Sequence, residues 1–187
     1  TNFYLRFDGK KEKFFINGAS RHSPLNAALS VAAAIYCGCQ LSNIKKRLKF
    51  IDLPERRLAI SNSLNGSLLI DDSYNANPAS LKNAVDSLEG LERKKVCILG
   101  DMKELGSDSQ KIHQEMYEYI SERVDHIFCI GDEWSTCSPN EKQDLSIFEN
   151  QDDLYSHLIS IIDKKTILLV KGSRSTRMDL LADKLKK

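Results

Sequence analysis

The sequence has no apolar run approaching the ~20 residues of a membrane-spanning helix, and no secretory signal pattern at its start. Charge of one sign is also missing. The 27 basic and 26 acidic side chains leave a net charge of +1, so the usual electrostatic footprint of a nucleic-acid binder is absent. There is no G-x-x-x-x-G-K-[ST] loop to cradle phosphates, and no G-x-G-x-x-G dinucleotide fingerprint. No Ser/His/Asp order stands out as a triad, and no cluster has metal-ligand spacing. The five cysteines form no paired framework. Cys37-Gly38-Cys39 lacks the second pair that a zinc site needs. Cys97 and Cys129 sit inside apolar runs and read as small core residues. That usage points to a reducing, cytoplasmic compartment. Internal repeats and low-complexity tracts are lacking too. The chain begins at Thr1, inside a strand-like pattern, and reads as a fragment or a processed chain.

What is present is a globular composition, 41% hydrophobic over 187 residues. That suits one domain plus a piece, or two small ones. Asn2 to Phe7 and Lys13 to Ile16 read as strands around Asp8-Gly9, with Lys10 to Lys13 as a basic loop. Ser23 and Pro24 start a helix that carries Leu25, Ala28, Leu29, Ala32, Ala33 and Tyr36 on one face and ends at Gly38. A short basic helix covers Ser42 to Lys49. Asp52-Leu53-Pro54-Glu55 breaks the pattern and marks a domain boundary. From Arg57 strands alternate with helices. The strands are Arg57 to Ser61, Ser67 to Ile70 after the tight turn Asn65-Gly66, Lys95 to Leu99, His126 to Ile130, Leu145 to Phe148 and Thr166 to Val170. Helices run over 78–89, from a Ser107/Gln110 capping box, from Asn150, and from Ser175. Trp134 to Asp144 reads as polar and irregular. The alternation predicts an α/β fold, a mainly parallel sheet flanked by helices, preceded by a β-hairpin and helices. Right-handed crossovers bring the loops 71–77, 100–106, 131–133 and 171–174 to one sheet edge.

The richest of these loops is Asp71-Asp72-Ser73-Tyr74-Asn75-Ala76-Asn77-Pro78, a strand-to-helix turn where open α/β sheets bind ligands. Capping accounts for Asn77 and Pro78. It leaves Asp71, Asp72, Tyr74 and Asn75 unexplained. Lys171-Gly172-Ser173-Arg174-Ser175 sets cations and hydroxyls at a helix start, suited to a carboxylate or phosphate. A solvated loop with a capping serine explains it equally well. Asp101 and Glu104 in Gly100-Asp101-Met102-Lys103-Glu104-Leu105-Gly106 are either ligand-facing or ordinary turn and loop acids, and the residues alone favour the second reading. His113, His126 and His157 read as structural or exposed. His22 and Asn26 share a helix face. Residues alone predict a domain that binds a small anion at one sheet edge.

The 71–78, 100–106 and 170–175 motifs, in that order, resemble the Mur ligases, and within them the type that adds D-alanyl-D-alanine to UDP-N-acetylmuramoyl-tripeptide. The likeness covers Arg57 to Lys187. Ser20-Arg21-His22-Ser23-Pro24-Leu25-Asn26 is similar to the family's Gly-x-His-Asn-x-x-Asn helix start, keeping His22 and Asn26 but neither the glycine nor the first asparagine. The resemblance implies that residues 1–52 are the tail of a central ATPase domain and 53–187 a Rossmann-like C-terminal domain. It implies ATP-dependent amide bond formation through an acyl phosphate in peptidoglycan precursor synthesis. Substrates would be the UDP-linked tripeptide, D-alanyl-D-alanine and ATP; the enzyme would be a monomer, with no nucleic acid or membrane span involved. Magnesium would neutralise the transferring phosphate, on ligands mostly upstream of this chain.

By the same resemblance Asn26 contacts the adenine, Arg57 (or Arg56, one register away) the phosphates and Asp72 the ribose. His22 supports the nucleotide pocket. These make His22, Arg57 and Asp72 the catalytic set. Tyr74, Asn75 and Asn77 line a cleft that closes to exclude water, and Lys171, Ser173 and Arg174 take the incoming dipeptide. Lacking a phosphate loop, the chain is expected to be inactive alone. A folylpolyglutamate-type ligase and a non-catalytic binding module of the same fold are the alternatives.

Overall fold

The computed structural model describes residues 2–7, 9–16, 23–51, 55–140 and 145–187. The chain divides into two compact units, Thr1–Pro54 and Glu55–Lys187. Asp8, His22 and Asp52-Leu53-Pro54 lie outside the described residues.

In the first unit β1 (Asn2–Phe7) and β2 (Lys10–Phe15) form an antiparallel hairpin. Phe7 pairs directly with Lys10, so the basic stretch expected in the loop belongs to the strand instead. Helices α1 (Ser23–Tyr36) and α2 (Leu41–Leu48) follow. Phe3, Phe14, Ala27, Val31, Ile44 and Leu48 make the core. This reverses the face expected for α1. Ala27 and Val31 are buried, whereas Leu25, Leu29 and Tyr36 are 61%, 64% and 93% exposed.

The second unit holds a six-stranded sheet in the order β3-β4-β8-β5-β6-β7. Its strands are β3 (Ala59–Asn62), β4 (Leu68–Asp72), β5 (Lys94–Gly100), β6 (His126–Ile130), β7 (Leu145–Phe148) and β8 (Thr166–Lys171). Only β3 runs antiparallel, joined to β4 by the Asn65-Gly66 turn, where both residues take the positive φ that such a turn needs. Helices α3 (Pro78–Asp86), α4 (Ser109–Ser121) and the short α5 (Asp132–Ser135) contribute to the core on one face. Helices α6 (Gln151–Ile161) and α7 (Met178–Leu185) serve the other. Strand residues alternate between the two cores. Cys97 and Leu99 join Leu81, Val85 and Tyr117, whereas Val96 and Ile98 join Leu154, Leu158 and Leu181. Both faces being covered explains why the parallel strands read as continuous apolar runs.

Four local expectations are corrected. Asp71 and Asp72 are not turn residues; they complete β4, with Asp72 opposite Lys171. Ser107 does not cap α4, which starts two residues later after a 3-10 turn at Gly106–Asp108. Ser175 does not cap α7 but sits inside the 3-10 turn Arg174–Thr176, and Arg177 occupies the cap position. Trp134, expected in an irregular segment, is fully buried in α5.

Candidate functional site

The loops after β4, β5, β6 and β8 meet at the carboxyl edge of the sheet, and Ser173 joins them. Its N–H donates to the Asp101 carbonyl at 3.0 Å, and its hydroxyl accepts the Lys103 N–H at 2.8 Å. The same hydroxyl donates to the Ala76 carbonyl at 3.4 Å, and the Arg174 N–H reaches Asn75 Oδ1 at 3.4 Å. Asp101 is buried, pairs with Lys103 at 2.9 Å, and accepts the Trp134 N–H at 3.4 Å. The hydrogen bond that the Lys103 ammonium donates to Asp101 raises the Lys103 pKa above its ordinary value. Gly131 is required here, since a Cβ on it would lie 2.2–2.4 Å from the Asp101 carboxylate. Beneath the 100–106 loop, buried His113 donates from Nδ1 to the Ser109 carbonyl at 2.8 Å and accepts the Met102 N–H on Nε2 at 3.1 Å. Its role is to hold this loop, in keeping with the structural reading.

On the β4 side Asp72 is 8% exposed. Its Oδ1 accepts the Leu58 N–H at 3.0 Å, and its Oδ2 accepts from the Lys171 ammonium at 2.5 Å. Burial pushes the Asp72 carboxyl up and the Lys171 ammonium down, each opposed by the partner's charge. Neighbouring Asp71 is wholly buried, bonded to Ser73 and paired with Lys186 at 2.9 Å. Arg57 and Arg56 now separate. Arg57 is exposed, its guanidinium 4.5 Å over the Tyr74 ring. Arg56 is committed to α7, donating to the Asp179 carbonyl at 2.9 Å and to Asp183 at 2.8 Å. Asn77 caps α3 through a reciprocal box with Ser80, a contact worth about 1 kcal/mol.

Beside these groups opens a cleft of about 670 Å³, lined by Asn75, Asn77, Lys103, Glu104, Ser173, Arg174 and Arg177, among others. Three cations face one acid there. Buried Asp179 draws on Arg56 at 3.9 Å, Arg174 at 3.3 Å and Arg177 at 3.4 Å. Arg56 is also satisfied by Asp183, so Arg174 and Arg177, with side chains 61% and 58% exposed, share Asp179 and present guanidinium donors that suit an anion. Of the residues expected at the site, Asn75, Asn77, Ser173 and Arg174 line the cleft. Lys171 does not; it is 2% exposed and spent on Asp72. Asn26 belongs to the first unit, exposed on α1, and His22 lies outside the described residues.

Lys103, Glu104 and Arg177 were missed by sequence reasoning. A legible signal existed for Arg177, because a cation at a helix N-terminus opposes the macrodipole and so asks for a reason. Glu104 and Arg177 also both hold positive φ, 65° and 52°, a strained state for non-glycine residues. Among the described residues no group of three or more His, Cys, Asp or Glu is placed to hold a metal ion.

The family model described as Mur ligase, glutamate ligase domain, matches residues 56–174. A UDP-N-acetylmuramoyl-tripeptide–D-alanyl-D-alanine ligase of Bacillus subtilis is 30% identical, aligned over 96% of this chain and 40% of its own. The ligase of the same name from Haemophilus influenzae is 34% identical over 88% of this chain and 38% of its own. Thus the chain spans about 40% of the length of these relatives. A crystal structure of MurF from Acinetobacter baumannii superposes with a TM-score of 0.86 at 31% identity, covering 100% of this chain and 42% of that one.

Proposed function

The chain belongs to the Mur ligase family, and from that premise we propose that it is the C-terminal part of a cytoplasmic ligase that adds D-alanyl-D-alanine to UDP-N-acetylmuramoyl-tripeptide. In the whole protein the γ-phosphoryl group of ATP passes to the tripeptide carboxylate. The dipeptide amine then attacks the acyl carbon, loses a proton and expels phosphate, leaving an amide. Residues of this chain bind and orient. In the second unit Asp72 takes the ribose and Arg57 the phosphates; the assignment of Asn26 to the adenine and of His22 to nucleotide support rests on the family resemblance. Asn75 and Asn77 form the wall, Tyr74 lies outside that lining under the Arg57 guanidinium, and Ser173 orients the loops. Arg174, joined by Lys103 and Arg177, grips the dipeptide carboxylate, and bidentate guanidinium contacts suit that group.

The observation that carries this reading is the cleft itself: the exposed guanidinium groups of Arg174 and Arg177 share one carboxylate, with Lys103 and Glu104 on the same lining, at the edge where the motif loops meet. A zwitterionic dipeptide is complementary to that charge pattern. The first unit is read as the tail of the central ATPase domain. Its α1 presents Leu25, Leu29 and Tyr36 outward, the kind of apolar stripe that marks an interaction surface.

The test is steady-state ligation by the full-length enzyme, with D-alanyl-D-alanine compared against glutamate. The dipeptide is expected to be used and glutamate not. Arg174→Ala should raise the KM for the dipeptide about ten-fold or more while the KM for ATP holds. Preference for glutamate, or an unaltered Arg174→Ala enzyme, would refute the assignment.

A further inference from the structure

The ammonium of Lys171 ends β8, the strand flanked by β4 and β5 near the middle of the sheet, and every residue of β8 is buried. A buried ammonium is costly unless each of its donors is satisfied. Three acceptors surround it: Asp72 Oδ2 at 2.5 Å, the Asn75 carbonyl at 2.8 Å and the Asp72 carbonyl at 3.5 Å. Those three contacts use all of its donors. Lys171 itself is not on the cleft wall, although Asn75 is, and reaching a ligand carboxylate there would strand the buried Asp72. Asp72 is correspondingly held at both oxygens, by the Leu58 N–H and by Lys171. The carboxylate therefore has one orientation, with its remaining lone pairs directed by these two contacts. The Asn75 carbonyl is fixed by the same ammonium, so one side chain sets both ends of the turn from Asp72 to Asn75.

We infer that Lys171 is a positioning residue that acts on the nucleotide side of the site by orienting the Asp72 carboxylate, its bond to the Asn75 carbonyl anchoring the turn between them, and that it does not contact the dipeptide. This rests on the reading of Asp72 as a ribose ligand. It moves Lys171 from the dipeptide group, where its sequence motif had placed it, to the other substrate.

The experiment uses the full-length ligase and three variants: Lys171→Met, Lys171→Arg and Asp72→Asn. KM is measured separately for ATP and for D-alanyl-D-alanine, and folding is followed by thermal unfolding. Lys171→Met should raise the KM for ATP about ten-fold, since it removes a charge-assisted hydrogen bond, and leave the dipeptide KM within about two-fold. Lys171→Arg keeps the charge but not the point geometry, and should recover part of the loss. Should Lys171→Met fail to fold, Lys171→Arg alone decides: its ATP KM must rise with the dipeptide KM unchanged. The double variant Lys171→Met/Asp72→Asn should be no worse for ATP than Asp72→Asn, because both act through one carboxylate. A rise confined to the dipeptide KM, additive effects in the double variant, or a wild-type ATP KM in Lys171→Arg overturns the inference. If Asp72→Asn leaves the ATP KM unchanged, the ribose reading fails first and takes this inference with it.

Discussion

At the scale of the residue, the clearest tension in the molecule is Arg177. It stands at the N-terminus of α7 with a left-handed backbone, two conditions that disfavour an arginine. Its side chain lines the cleft and pairs with Asp179 at 3.4 Å while remaining 58% exposed. An exposed pair of this kind contributes little, on the order of 0–1 kcal/mol. Glycine would relieve the backbone. Arg177→Gly is therefore expected to keep stability within about 1 kcal/mol of wild type by urea titration. In the full-length enzyme the same change should raise the dipeptide KM. A large loss of stability with unchanged kinetics would make Arg177 a structural residue instead. Arg56 and Arg57 make the complementary point. Adjacent and identical in type, they have opposite fates, one locked onto Asp183 and the other lying over Tyr74.

At the scale of the element, β6 and α6 set up a pH response. His126, half-buried at the start of β6, stacks on Phe128 at 5.7 Å, and His157 of α6 meets Phe128 edge-on at 5.1 Å. Burial lowers the His126 pKa first, and Lys94 and His157 push the same way against Asp125. The folded state thus binds the proton less tightly than the unfolded chain, whose histidine titrates near ~6.5. Stability from this group is intact above that value and declines as pH falls through and below it. His126→Gln should flatten the drop in melting temperature between about pH 7.5 and 5. An equally steep drop in the variant would assign the effect elsewhere. Elements were legible in unequal degree. Those with a strong period and a real cap, such as α3 with Asn77 and α6 with Asn150, were readable to the residue at their starts, although α3 ends at Asp86 rather than 89. The starts of α4 and α7 were not, because Ser107 and Ser175 satisfy the capping pattern locally while tight 3-10 turns place the helices further on.

At the scale of the whole molecule, the chain carries less than half the length of its relatives, and its sequence holds no phosphate-cradling loop. Purified alone, the 187-residue chain is expected to show no ATP hydrolysis above background and to bind nucleotide weakly at best. Turnover by a contaminant-free preparation would contradict the proposed division of labour. The fold of the second unit accounts for that division. A parallel sheet puts its post-strand loops on one edge whatever their sequence, and the other edge is left to packing.

The sequence by itself determined the α/β class, the strand order of events along the chain, and the motif loops that belong together. Periodicity, turn dipeptides and Gly/Pro punctuation are local, and local physics suffices for them. Tertiary structure alone decided what each polar residue of those loops does. Asp71 and Asp72 read as residues of a ligand-binding turn until β4 extended through them and pairing with β8 buried them. Lys171 looked like a cation for a ligand until its register opposite Asp72 enclosed it. Lys103, Glu104 and Arg177 looked ordinary until three loops closed a cleft around them. Burial and partnership are properties of distant segments brought together, and a charged side chain acquires its role only when the cost of its desolvation is set.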